Sequence, residues 1–109
     1  RVCLGTDSLA SSRKTGSTSP VLNLWTEMRL FAQRHPAIAP REIFEMTTIA
    51  PAAAVGKENE LRGLRGQAVA EFVAMGYAGP MQEKRLFEEV LYTGTVRDVF
   101  IGGEQVRSA

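Results

Sequence analysis

A chain of 109 residues, 44% of them hydrophobic and 23% charged, is sized for one small globular domain with a modest core. Its formal net charge of +1 gives no electrostatic reason to expect nucleic acid or an anionic membrane as partner. No apolar stretch reaches the roughly 18 to 20 residues that span a bilayer. The single cysteine, Cys3, excludes an internal disulfide and a cysteine zinc cluster, and it fits a reducing, cytoplasmic setting.

In chain order, Val2-Cys3-Leu4-Gly5 is a short apolar run that reads as a strand buried on both faces, as in a parallel sheet. Cys3 within it is expected to be a small buried hydrophobe, because a catalytic thiol needs a base and the only histidine, His35, is not placed near it. The chain opens on Arg1 without an initiator Met, directly before this run, and is expected to be a truncated piece. Residues 8–19 are rich in Ser, Thr and Gly and read as a long polar loop. Arg13-Lys14-Thr15-Gly16-Ser17 has the residue types of a phosphate loop, but its Gly and Lys spacing is wrong for one.

Ser19-Pro20 predicts a helix start, with Ser as the cap and Pro in the first turn. Val21, Leu24, Trp25, Met28, Phe31 and Ala32 follow at helical spacing, and His35-Pro36 ends the helix. Trp25 and Met28 lie on this apolar stripe and are expected in the core. A second helix is predicted over 40–47 and a third from Thr48, its cap, through Val55, with Gly56 as the stop. Residues 57–66 are polar and read as loop, and 70–75 read as a strand. Residues 76–82 are turn-like, and 84–92 favour a helix. Residues 96–101 alternate as a strand, and Gly102-Gly103 supplies a hairpin turn to a return strand at Glu104-Gln105-Val106. The apolar face of one parallel strand is not buried by helices alone, so strand neighbours from outside this chain are expected.

The segment Gly5-Thr6-Asp7-Ser8 at the end of the apolar run, followed by a polar loop, resembles the last barrel strand of the amidohydrolase superfamily. The similarity is nearest to its chlorohydrolase and aminohydrolase branch, which includes metal-dependent deaminases. Leu24-Trp25-Thr26-Glu27-Met28-Arg29 matches the helix pattern of that branch, and Thr48, Ala52, Val55 and Gly56 match the next. Phe100-Ile101-Gly102-Gly103-Glu104-Gln105-Val106 matches its closing β segment. At Gly66-Gln67-Ala68-Val69-Ala70-Glu71 the chain departs from the family pattern, by one added residue and by Glu in place of Asp.

The resemblance implies an α/β fragment: the last strand-helix unit of a TIM-type (β/α)8 barrel at 1–56, followed by helices, with part of a small flanking β domain at 57–109. A complete barrel of this kind takes eight strands and about 250 residues. It implies a hydrolase that cleaves C–N bonds, by deamination, or C–Cl bonds of ring substrates with a metal-activated water. Asp7 is implied as the catalytic residue that contacts the metal or its water and moves a proton, and Ser8 and Ser11 as loop residues near substrate. The zinc or iron would need histidines absent from this chain, so tight metal binding by the chain alone is not expected. His35 matches none of the family's ligand positions and reads as a surface or capping residue, and Glu27 as a structural contact. The chain alone is expected to be inactive. A different reading is a stand-alone remnant with a structural or oligomerisation role, a homo-oligomer covering the exposed barrel face.

Overall fold

The computed structural model describes residues 2–6, 22–61 and 63–108. The first helix, α1 (Leu24–Arg34), begins where Asn23 adopts an extended backbone and its side-chain oxygen accepts from the N–H groups of Trp25 (3.0 Å) and Thr26 (3.4 Å). That satisfies two of the donors a helix start leaves free. The predicted cap at Ser19-Pro20 lies outside the described residues, and the helix is capped four positions later. At the other end His35 is the C-cap, its N–H donating to the Phe31 carbonyl at 2.9 Å, and Pro36 follows as expected.

Pro40 opens α2 (Pro40–Glu45), where its missing N–H costs nothing. Helix α3 (Ile49–Ala54) has Thr48 at its N-cap position, but the hydroxyl does not cap it. Instead it donates back to the Phe44 carbonyl at 2.7 Å, which ties the end of α2 to the start of α3. Gly56, at φ +73, ends α3 as predicted. The Lys57 N–H reaches the Ala52 carbonyl (2.8 Å) and the Gly56 N–H the Ala53 carbonyl (3.1 Å), a paired closure that needs the left-handed residue between them.

The C-terminal half is β1 (Phe72–Gly76), α4 (Glu83–Thr93), β2 (Thr95–Ile101) and β3 (Glu104–Ser108). The three strands form an antiparallel sheet in the order β1-β2-β3. Phe72 pairs with Phe100 and Val73 with Val99; the register then slips at Ala74/Met75, leaving Arg97 as an extra residue in β2. A second slip at Val99/Phe100 leaves Val106 extra in β3. Such bulges increase the local twist. The turn at Gly102 (φ +60) and Gly103 (φ +82) has the two positive φ values a two-residue hairpin needs. β1 starts two residues later than predicted because Ala70 is engaged elsewhere: its carbonyl accepts from the Gly103 N–H at 2.9 Å.

The core sits among the helices. Met28 of α1, Ile43 of α2 and Leu91 of α4 are its buried centre, with Leu4, Trp25, Phe31, Ala32, Ile38 and Phe44 packed around them. Met28 is core as predicted, and Trp25 is partly buried with its ring edge-on to Phe44, 5.5 Å between centroids. Leu91 comes from the 57–109 segment, so residues on both sides of position 56 build one core. Arg29, next to Met28, reaches across to α4: its Nε donates to the Leu91 carbonyl (2.7 Å) and an Nη to the Gly94 carbonyl (3.4 Å). A guanidinium on the last carbonyls of a helix satisfies acceptors that have no intrahelical partner.

The buried strand predicted at Val2–Gly5 is not formed. Residues 2–6 carry neither helix nor strand; Val2 is 56% exposed, and Cys3, expected to be buried, is exposed as well. A strand exists only as part of a ladder, and the one sheet among the described residues is antiparallel and lies entirely within 72–108. Leu4 alone is anchored, by its partial burial on the core and by its N–H donating to the Met46 carbonyl at 3.0 Å.

Candidate functional site

Asp7, Ser8 and Ser11, the residues that the sequence offers for catalysis and substrate contact, lie outside the described residues. The structure positions what comes just before them. Leu4 is fixed on the helical core, Gly5 is exposed and Thr6 is partly buried. Glu27 falls in the first turn of α1, half-buried, where a carboxylate suits the positive end of the helix dipole. His35 is exposed at the C-cap of α1, its ring 4.5 Å from Phe31, which is the capping position read from sequence. Among the described residues no three His, Cys, Asp or Glu side chains come together to hold a metal ion. These residues therefore do not by themselves fit a metal centre.

The structure does bring together a group that the sequence reading passed over. An open apolar groove of ≈ 420 Å³ lies between α4 and the face of β1 that carries Val73 and Met75, with Phe44 of α2 at its base. The Phe44 and Phe87 rings meet at 5.4 Å, and the Arg41 guanidinium lies 5.8 Å from the centre of the Phe87 ring. At the polar end of the groove stands Tyr77, just past β1. Its one hydroxyl proton is donated to the Glu89 carboxylate of α4 in a short hydrogen bond and shared with the Pro80 carbonyl, whose oxygen lies 2.9 Å away. That bond to Glu89 is the main cause holding the Tyr77 phenol above its ordinary range, followed by desolvation and the carboxylate's charge, with Arg85 acting in the opposite direction. Arg85 also approaches the other oxygen of Glu89, at 3.6 Å.

These residues were hard to see in sequence for a physical reason. Tyr77 and Glu89 are twelve positions apart and belong to no periodic stripe. The available signal was Gly79-Pro80 beginning two residues after Tyr77, a turn able to fold a ring back on itself. Arg29 was visible as part of the Leu24–Arg29 pattern, but its partners on α4 are more than sixty residues away.

The described residues thus form a small α/β unit: a helical core joined to an antiparallel sheet. The sequence pattern of the Amidohydrolase family matches residues 1–106, and the chain belongs to that family. Its origin is accordingly hydrolase-like. No curated protein and no solved structure matches it. No helix among the described residues is long and apolar enough to cross a membrane.

Proposed function

We propose that the chain is the C-terminal part of a metal-dependent hydrolase of the chlorohydrolase and aminohydrolase kind, which breaks C–N bonds by deamination or C–Cl bonds of small ring substrates. The observation that carries this reading is the family match across 1–106, joined to Gly5-Thr6-Asp7-Ser8 at the place where that family ends its last barrel strand. In this reading residues 1–56 close the barrel and 57–109 belong to the flanking β domain. Active sites of such barrels form at the C-terminal ends of the strands, which is where Asp7 falls in the motif.

Asp7 is the residue of this chain that takes and returns a proton, and Ser8 and Ser11 face substrate from the following loop. A zinc or iron ion, if held mostly by histidines that this chain lacks, would supply a water acidified to a pKa near 7. A carboxylate beside such a water is a competent general base and acid. One carboxylate does not make a tight transition-metal site, so the chain by itself is inactive in this reading. The single cysteine fits a cytoplasmic location.

The test is made on the complete gene product with a panel of ring amines and chlorinated rings. Asp7→Asn is expected to lower kcat by about 100-fold or more, the usual range for a general acid–base group. Ser8→Ala and Ser11→Ala are expected to act mainly on KM. An Asp7→Asn enzyme with undiminished kcat would remove the proposed role. A second reading, a self-associating structural module, is favoured by the exposed apolar groove and by Leu22, Val73 and Met81 on the surface. A dimer of the isolated chain in solution is its expected sign.

A further inference from the structure

We infer that residues 77–82, which join β1 to α4, form a strap across one end of the apolar groove, and that the Tyr77–Glu89 hydrogen bond is its latch. Tyr77 and Met81 stand on the strap and line one end of the groove, while Met75 and Phe87 lie on its walls. The connection runs from the end of β1 at Gly76 to the start of α4 at Glu83. Nothing in the periodicity of either element requires it to fold back. It does so through one phenol, whose hydroxyl is held between the Pro80 carbonyl of the strap and the Glu89 carboxylate of the helix.

Gly79 completes the device. A Cβ at that position would collide with the Tyr77 hydroxyl oxygen and with the ring carbon that bears it. The ring therefore sits directly on Gly79, and only a residue without a side chain leaves it room. Three neighbouring features, a glycine seat, a carbonyl and a carboxylate, converge on one side chain. The strap carries no backbone ladder of its own to hold it otherwise. Arg85 is the charged group beside Glu89, 3.6 Å from its second oxygen, and keeps the carboxylate turned toward the strap end of α4. Removal of the phenolic proton, the hydroxyl or the seat frees the strap and widens the groove at that end, without disturbing the helical core around Met28, Ile43 and Leu91.

Limited chymotrypsin digestion of the chain tests this, since Tyr77 and Met81 are both cleavage points on the strap. Tyr77→Phe removes the hydroxyl and keeps a ring for the protease. Gly79→Ala evicts the ring while leaving Tyr77 and Glu89 in place. Both are expected to raise cleavage after residues 77 and 81 at least fivefold, with Glu89→Gln raising it less, while cleavage after Phe44 and the far-ultraviolet circular dichroism stay as in the parent. In a Tyr92→Phe background Tyr77 is the only phenol, and its spectroscopic titration is expected to move toward the ordinary range when Glu89→Gln is added. Unchanged cleavage at 77 and 81 in both Tyr77→Phe and Gly79→Ala overturns the strap. Equal increases at Phe44, or a Tyr77 titration indifferent to Glu89→Gln, overturn the latch.

Discussion

The helical half and the sheet of this protein use apolar side chains in opposite ways. Every well-buried hydrophobic among the described residues, Met28, Ile43, Ala50, Ala52 and Leu91, is on a helix. The strands carry Phe72, Val73, Ile101 and Val106 at exposures of 38 to 57%. The helices close a core by packing three elements around one point. The sheet is held by its ladders and by stacked side chains such as Phe72 on Phe100, 4.6 Å apart, while much of its apolar surface stays open. Burial of side chains stabilises the first region. The second rests on backbone pairing, which contributes less per residue once solvent competition is counted.

Substitutions at matched aliphatic positions break this comparison most directly. Leu91→Ala empties the centre of the helical core and is expected to cost about 2–5 kcal/mol, whereas Ile101→Ala on the sheet is expected to fall within about 0.5 kcal/mol of the parent. Urea denaturation of the two variants measures both, and equal losses would erase the distinction. Arg29→Met comes next. It leaves the carbonyls of Leu91 and Gly94 without their charged donor and is expected to cost about 1.5–3 kcal/mol, read in the same way. Because Arg29 joins α1 to the end of α4 where the sheet begins, its loss is also expected to speed amide exchange in β2 more than in α2.

A smaller effect is expected from Asn23→Ala, about 1 kcal/mol, from loss of the cap that starts α1. Asn23→Gly should lose only a few tenths, since glycine still permits the cap backbone. The smallest effect is a pH dependence. The folded-state pKa of Tyr77 is raised, so its contribution is complete below the unfolded tyrosine value of about 10 and is lost as pH rises through the higher folded value. Stability is therefore expected to fall on the alkaline side, and Glu89→Gln to weaken that dependence. The phenol is only partly buried, so the slope is expected to be shallow.

Local signals were the part of the fold legible in sequence. Pro40 fixes a backbone angle through its ring, Gly56 and the Gly102-Gly103 pair admit positive φ because they lack a side chain, and α2, the end of α3 and the hairpin fall where they indicate. The stripe through Trp25, Met28 and Phe31 located the core face of α1, because a 3.6-residue period follows from helix geometry alone. The start of α1 was less legible, since Ser19 and Asn23 are both good caps and only the folded backbone selects between them. The apolar run Val2–Gly5 forms no strand among the described residues, because a strand depends on neighbours that no local pattern reveals and that these residues do not supply. Of the candidate site, Asp7, Ser8 and Ser11 are expectations from the family resemblance, and they lie outside the described residues. Tyr77 and Glu89 came together only through the turn at Gly79-Pro80, a tertiary event with no periodic trace.

The central claim is that this chain completes a metal-dependent hydrolase. It is tested most directly by intact mass and metal analysis of the native gene product in one sample. The account predicts a polypeptide well above 11.9 kDa that contains the 109 residues and carries bound zinc or iron. A native product of 11.9 kDa, free of metal, would contradict it.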